Sequence, residues 1–138
     1  MTYAGDLDPT ESYELLSSDP DAVLVDVRTR AEWNYVGLPD LSGLDKKVLR
    51  IEWLSFPDGA VNSSFAGELE RAGVPRSAPV LFLCRSGQRS IAAAEAATAA
   101  GYERAYNVAQ GFEGGLDADG HRGSASGWKV SGLPWRQS

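Results

Sequence analysis

Two short, nearly continuous apolar runs constrain what this chain can fold into. They span residues 22–27 and 79–83 and consist mainly of valine, leucine and phenylalanine. Short apolar runs of this kind are typical of strands that are buried on both faces of a parallel sheet. A weaker apolar run at 105–108 and an alternating segment at 48–53 indicate two further strands.

Three segments next to these runs have the boundary residues of helices: 10–16, 63–72 and 90–100. The first follows Asp8-Pro9, and the other two end at Gly73 and Gly101. Strands that alternate with helices imply βα units and a mostly parallel sheet. The sequence therefore predicts an α/β fold, in which ligands bind beyond the carboxyl ends of the strands.

Length and composition bound the class of protein. A chain of 138 residues that is 43% hydrophobic and 23% charged has the size and composition of one globular domain, so we expect a single domain over residues 1–138. The net charge of −6 argues against nucleic acid or an anionic membrane as the main partner. No apolar run reaches the roughly 18 to 20 residues that cross a bilayer, and the chain does not begin like a secretory signal.

Cys84 is the only cysteine of the chain, and it directly follows the apolar run at 79–83. One cysteine cannot form an internal disulfide, and a free thiol persists best in a reducing compartment. We therefore expect a cytoplasmic protein.

The residues after Cys84 favour the thiolate, which is the reactive form of a cysteine. A polar loop at 85–89 leads into the predicted helix, and the backbone N–H groups of such a loop, together with the positive end of the helix dipole, attract anions. Arg85 and Arg89 add positive charge, and Gly87 can adopt backbone angles that turn amides inward. The alternative is that Cys84 is simply a small apolar strand residue, as most buried free cysteines are.

Four motifs together resemble the single-domain rhodaneses, which are sulfurtransferases. They are Asp26-Val27-Arg28 followed by Glu32-Trp33, the loop Cys84-Arg85-Ser86-Gly87-Gln88-Arg89-Ser90, the pair Gly101-Tyr102, and the closing Gly132-Leu133-Pro134. The resemblance covers about residues 7–135, which would be the core of the domain. It implies a twisted, mostly parallel five-stranded sheet with helices on both faces.

The resemblance also implies a reaction and a site. A rhodanese cysteine accepts a sulfane sulfur from a donor such as thiosulfate and passes it, as a persulfide, to cyanide or a thiol. Cys84 would be the nucleophile, and the residues expected to cradle the persulfide and bind the donor are Arg85, Ser86, Gly87, Gln88, Arg89 and Ser90. This chemistry requires no metal or organic cofactor. Its partners would be a small sulfur donor and a thiol or cyanide acceptor, or a partner protein that supplies or removes the sulfur.

Asp26 and Arg28 stand at the carboxyl end of the first predicted strand. They would either orient the Cys84 loop or form an ion pair that ties two βα loops together, and the second outcome is the commoner one. Two segments of the chain, 38–60 and 114–127, depart from the family pattern. The first follows a stretch that lacks the histidine usual in the family, and the second is longer than the usual ending of the domain. Substrate preference is expected to differ there.

Two other functions fit some of these residues. Phosphatases of the Cdc25 type share the rhodanese fold, but they need five residues between the cysteine and the arginine that clamps phosphate. Four residues separate Cys84 from Arg89, and the next position is Ser90. A persulfide carrier or interaction module, whose partner supplies and removes the sulfur, stays open because fold alone does not decide function.

Overall fold

The computed structural model describes residues 3–54, 60–115, 118–121 and 126–136. The strands within them are β1 Gly5–Leu7, β2 Val23–Asp26, β3 Leu38–Pro39, β4 Leu49–Arg50, β5 Val80–Leu83, β6 Ala105–Val108 and β7 Trp135–Arg136. The α-helices are α1 Pro9–Ser18, α2 Arg30–Tyr35, α3 Phe65–Arg71 and α4 Arg89–Ala99. Among the described residues, no helix is both long enough and apolar enough to cross a bilayer.

Five of the strands form one parallel sheet in the order β1-β6-β5-β2-β4. The α/β fold with a five-stranded parallel sheet is therefore confirmed. The chain moves outward from β2 to β4 on one side of the sheet and from β5 to β6 on the other, so the direction of winding reverses between β2 and β5. Ligands of open α/β sheets bind at such a reversal, beyond the carboxyl ends of the strands.

Helices cover both faces of this sheet. Side chains alternate between the two faces along a strand. Val25 and Phe82 therefore pack in one core with α3 and α4, whereas Leu24 and Leu81 pack in a second core with α1. All four side chains are fully buried, which explains why β2 and β5 appear in the sequence as nearly continuous apolar runs.

Reciprocal side-chain caps begin two of the helices. At α1, Asp8 accepts the N–H of Glu11 at 2.7 Å, and the Glu11 carboxylate accepts the N–H of Asp8 at 3.0 Å. Thr29 and Glu32 form the same arrangement at the start of α2. Both caps satisfy N–H groups that have no partner within the helix, so they fix where each helix begins.

The hydrophobic pattern did not predict β1 or α2. β1 is three residues long with Leu7 as its one large apolar side chain, and only its pairing with β6 defines it. α2 is six residues long, too short to display a helical period, although Thr29 and Glu32 have capping-box spacing. The strand predicted over 48–53 is shorter than expected and consists of Leu49–Arg50, which pairs with β2 at the edge of the sheet.

Part of the segment that departs from the family pattern forms a second, small sheet. β3 pairs antiparallel with β7, with Leu38 opposite Arg136. Gly37, just before β3, has a φ of +113°, and a Cβ on it would lie 2.9 Å from the carbonyl oxygen of Arg136. Residues 55–59, 116–117 and 122–125 of the two departing segments lie outside the described residues.

Phe65 is expected to contribute strongly to stability because its ring joins α3 to the sheet. It packs edge-on against Trp53 with ring centroids 5.1 Å apart, and its ring lies 5.7 Å from that of Phe82. Phe65→Ala should lower the free energy of unfolding by about 3–5 kcal/mol in urea titrations, since it leaves a cavity. Val61→Ala, at a position that is 57% exposed, is the control and should cost less than about 0.5 kcal/mol. Similar losses in the two variants would contradict this packing.

Candidate active site

Cys84 lies where the central strand of the sheet ends. It follows Leu83 of β5, is a free cysteine and is only 1% exposed. The carbonyl of Leu83 accepts the N–H of Val27 at 2.8 Å, so β2 and β5 end side by side. Cys84 therefore occupies the reversal point of the sheet, where a ligand site is expected.

The loop between β5 and α4 wraps around the Cys84 sulfur. The N–H of Gly87 donates to Sγ at 3.1 Å, and the Oγ of Ser90 lies 3.2 Å from Sγ. Gly87 has a φ of +101°, a backbone angle that residues with a Cβ rarely adopt, as its place in the loop predicted. α4 begins beside the sulfur without a side-chain cap at Gln88, and the positive end of a helix stabilises an anion there.

A turn at residues 111–114 anchors the start of this loop. The N–H of Phe112 donates to the carbonyl of Cys84 at 2.8 Å, and the next two N–H groups donate to the carbonyl of Arg85 at 2.9 and 3.1 Å. Gly111 permits this approach, because its φ is +65° and a Cβ on it would lie 2.5 Å from the carbonyl oxygen of Cys84. Backbone hydrogen bonds from a distant part of the chain therefore hold the loop in place.

Buried polar side chains continue from Ser90 away from the sulfur. The hydroxyl of Ser90 makes a short hydrogen bond to Oδ1 of Asn107 on β6, and Nδ2 of Asn107 donates to Oδ1 of Asp6 on β1 at 2.9 Å. Ser90 is fully buried and Asn107 is 2% exposed. The sequence interpretation missed Asn107 and Asp6, and no local motif indicates them, because only the pairing of β1 with β6 brings them to Ser90.

Arg89 is held in a two-pronged ion pair with Glu32 of α2. Its Nη1 donates to Oε1 at 2.7 Å and its Nη2 donates to Oε2 at 2.9 Å. Burial raises the pKa of Glu32, but the hydrogen bonds from Arg89 and from the N–H of Thr29, together with nearby positive charge, outweigh burial and lower the pKa to about 2. The same hydrogen bonds have the opposite effect on their donor: they raise the pKa of Arg89 above its usual value.

The Glu32 carboxylate is also part of the cap of α2. Its Oε1 accepts the N–H of Thr29 at 3.1 Å, so the capping box turns the carboxylate toward α4. The sequence interpretation quoted Glu32 only as part of a motif and gave it no role at the site. The spacing of Thr29 and Glu32 could have indicated a fixed carboxylate, but its partner Arg89 is 57 residues away in the chain.

Asp26 and Arg28 form a completely buried ion pair at the end of β2. Nη2 and Nε of Arg28 donate to the Asp26 carboxylate at 2.6 and 2.8 Å, and Nη2 also donates to the carbonyl of Gly37 at 2.7 Å. The guanidinium lies over the Phe112 ring, 4.4 Å from its centre. The pair thus ties the end of β2 to Gly37, before β3, and to the turn that contains Phe112. Phe112 in turn connects the pair to Cys84, because its N–H donates to the Cys84 carbonyl.

The other loop side chains face outward. Arg85 and Gln88 are exposed, and Ser86 is half-buried. The loop has two arginines. Arg89 is paired with Glu32, whereas Arg85 forms no ion pair within the described part of the chain.

Known proteins match nearly the whole of this chain. Residues 5–138 match the sequence family described as the STR4 middle domain. The uncharacterized protein RC0915 of Rickettsia conorii is 39% identical over 128 residues, which are 92% of this chain and 93% of that protein. The protein THYLAKOID RHODANESE-LIKE, chloroplastic, of Oryza sativa subsp. indica is 31% identical over 125 residues, which are 90% of this chain and 23% of that protein.

Solved structures share the fold. The crystal structure of Rv0390 from M. tuberculosis aligns with a TM-score of 0.91 and 58% sequence identity over 99% of this chain and 100% of that one. The solution structure of the 30 kDa polysulfide-sulfur transferase homodimer from Wolinella succinogenes aligns with a TM-score of 0.64 and 23% identity, over 96% of this chain and 78% of that one. At that identity the second likeness concerns the fold alone.

Removing Arg28 should be strongly destabilising. Arg28→Met leaves the carboxylate of Asp26 fully buried without its positive partner, and we expect a loss of about 3–5 kcal/mol in the free energy of unfolding measured by urea titration. The double variant Asp26→Leu/Arg28→Met removes both charges and should be more stable than Arg28→Met alone. If the single variant is as stable as the native protein, the ion pair does not hold these loops.

Glu32 should make stability depend on pH in the acid range. Its pKa is lower in the folded protein than its ordinary value, so its stabilising effect is complete above about pH 4.5 and is lost as the pH falls toward about 2. Over that interval the native protein should lose about 1–3 kcal/mol more of its free energy of unfolding than Glu32→Gln does. Urea titrations at several pH values measure this difference. Glu14→Gln, at an exposed position of α1, is the control and should follow the native protein.

Proposed function

Because the chain belongs to the STR4 middle-domain family and has a rhodanese-like fold, we propose that it is a sulfurtransferase that carries a sulfane sulfur on Cys84. The observation that carries the proposal is the setting of Sγ, which lies at the start of α4 with the N–H of Gly87 at 3.1 Å. A helix N-terminus and a donated N–H both stabilise negative charge on sulfur. Thiolate and persulfide anions are the species that such a setting favours.

In the first step, the Cys84 thiolate attacks the outer sulfur of a donor such as thiosulfate. A new sulfur–sulfur bond forms at Sγ, the sulfur–sulfur bond of the donor breaks, and sulfite leaves with the electron pair. Positive charge beside the leaving group lowers the free energy of the transition state. This charge comes from the exposed Arg85 and the loop amides, because the guanidinium of Arg89 is already paired with the carboxylate of Glu32.

In the second step, an acceptor attacks the outer sulfur of the persulfide and Cys84 leaves as a thiolate. Cyanide becomes thiocyanate in this step, and a thiolate becomes a persulfide. Cys84 is the only cysteine of the chain, so no internal thiol can remove the sulfur. The acceptor is therefore a separate molecule.

The remaining loop residues have supporting roles in this proposal. Ser86 and Gln88 flank the opening of the loop and contact the donor. Ser90 contacts Sγ directly, and the ion pair of Asp26 with Arg28 supports the turn that anchors the loop.

The same geometry disfavours phosphate as the substrate. A phosphatase of this fold clamps phosphate with both prongs of an arginine that follows its loop. Here both prongs of Arg89 bind Glu32, and the next residue, Ser90, turns its hydroxyl toward Sγ and Asn107.

Sulfur loading can be measured directly by mass. The native protein, incubated with thiosulfate and desalted, should gain about 32 Da in its intact mass, and cyanide should remove this mass as thiocyanate. Cys84→Ser should gain nothing. Arg85→Ala should load more slowly by roughly tenfold or less, since one exposed charge is involved. Arg71→Ala removes an exposed arginine of α3, outside the loop, and is the matched control with little effect.

The outcomes of this experiment separate the candidate functions. Failure to load sulfur from thiosulfate and from a glutathione persulfide would contradict the proposal. If the protein loads sulfur but does not release it to cyanide or small thiols, it is a persulfide carrier that needs a partner protein rather than an enzyme. Hydrolysis of an aryl phosphate that depends on Cys84 would point to the phosphatase instead.

A further inference from the structure

A row of hydrogen-bonded polar side chains connects the buried Cys84 sulfur to Asp6, which lies exposed at the edge of the sheet. It runs from Sγ to Ser90 Oγ at 3.2 Å, from Ser90 to Asn107 Oδ1, and from Asn107 Nδ2 to Asp6 Oδ1 at 2.9 Å. Ser90 and Asn107 are almost completely inaccessible to water. The directions of their hydrogen bonds are therefore decided by the side chains themselves.

Asp6 fixes the orientation of the Asn107 amide. An ionised carboxylate accepts hydrogen bonds and donates none, so the Asn107 amide must turn its NH₂ group toward Asp6. The oxygen of the amide then faces Ser90. Asp6 and Asn107 are register partners on β1 and β6, which places both side chains on the same face of the sheet.

The orientation of Asn107 in turn decides what Ser90 can offer to the sulfur. A serine hydroxyl has one proton to donate. In the hydrogen bond to Asn107 Oδ1 this proton points away from Cys84, and a lone pair of Oγ faces Sγ. A protonated thiol can donate to that lone pair. A thiolate or a persulfide cannot, because neither has a proton on Sγ.

We propose that Asn107, oriented by Asp6, is a positioning residue that withholds the hydrogen bond of Ser90 from the Cys84 sulfur until the hydroxyl of Ser90 turns toward it. The N–H of Gly87 serves the sulfur anion throughout, whereas the hydrogen bond from Ser90 becomes available only when its bond to Asn107 is released. The consequence for turnover rests on the sulfur transfer proposed above. The directions of the hydrogen bonds do not rest on it.

The other charged groups near Cys84 stay the same when Asn107 or Asp6 is replaced. They are paired with each other or exposed, and they are Arg89 with Glu32, Arg28 with Asp26, and Arg85. A change in thiol reactivity in these variants therefore reports on the hydrogen-bonded row and, for Asp6, on the loss of one surface charge.

The test measures how fast iodoacetamide alkylates Cys84 in the unloaded protein as a function of pH. Asn107→Leu has nearly the shape of asparagine and removes the acceptor, so the proton of Ser90 is free to stabilise the thiolate. We expect the rate at pH 7 to rise by about three- to tenfold, the effect of one hydrogen bond to an anion, and the midpoint of the pH profile to fall. The ultraviolet absorbance of the thiolate, taken against Cys84→Ser, gives the same midpoint without depending on reagent access.

A second variant avoids any change in the core. Asp6→Ala lies at an exposed position and leaves the Asn107 amide free to turn, so a smaller rise in the same direction is expected. Tyr3→Phe removes another hydrogen bond to the same carboxylate, at 2.8 Å, and is the control that should leave the rate unchanged.

Ser90→Ala separates this mechanism from a simple effect of charge or packing. In that background Asn107→Leu and Asp6→Ala should no longer change the alkylation rate, because the coupling passes through the hydroxyl. Unchanged or lower rates in the two single variants, or equal increases with and without Ser90, would overturn the proposal. Alkylation uses no sulfur donor, so this result is independent of whether thiosulfate loads the protein.

Discussion

The parallel pairing of β5 with a strand on each side is the constraint on which the site depends. Val27 donates to the carbonyl of Leu83 in the last contact between β2 and β5, and beyond it no strand continues. The chain must leave the sheet at Cys84 and turn into α4. Because this happens at the centre of the sheet, the sulfur is buried, and it lies between the end of a strand and the start of a helix.

Two of the three arginines beside the sulfur, Arg28 and Arg89, are held in ion pairs, whereas Arg85 is exposed. Asp26 with Arg28 and Glu32 with Arg89 each satisfy their own charge, so they mainly fix geometry, and breaking either pair leaves a charge without a partner. The positive charge left for an anion at the loop then comes from the exposed Arg85 and from backbone amides such as that of Gly87. Amides are rigid and cost no reorganisation when negative charge develops on sulfur.

The parts of the fold that were predicted are those with strong local signals. β2, β5 and α4 have apolar runs or helix boundaries that depend on their own residues, and Gly87 is recognisable because a tight loop needs a positive φ. β1 was missed because three residues carry too little pattern, and α2 because one and a half turns show no period. Glu32 and Asn107 were missed as site residues because their partners lie far away in the chain.

The sequence by itself determined that Cys84 follows a buried strand and precedes a glycine-containing basic loop, since these are neighbours along the chain. Only the tertiary structure decided what each loop side chain does. Arg89, which by sequence is a cation available to an anionic donor, is bound by Glu32, and Ser90 turns its proton to Asn107. The reason is physical. The direction of a side chain's hydrogen bond and the pairing of its charge depend on atoms a few ångströms away in space, and the pairing of strands and packing of helices determine which atoms those are.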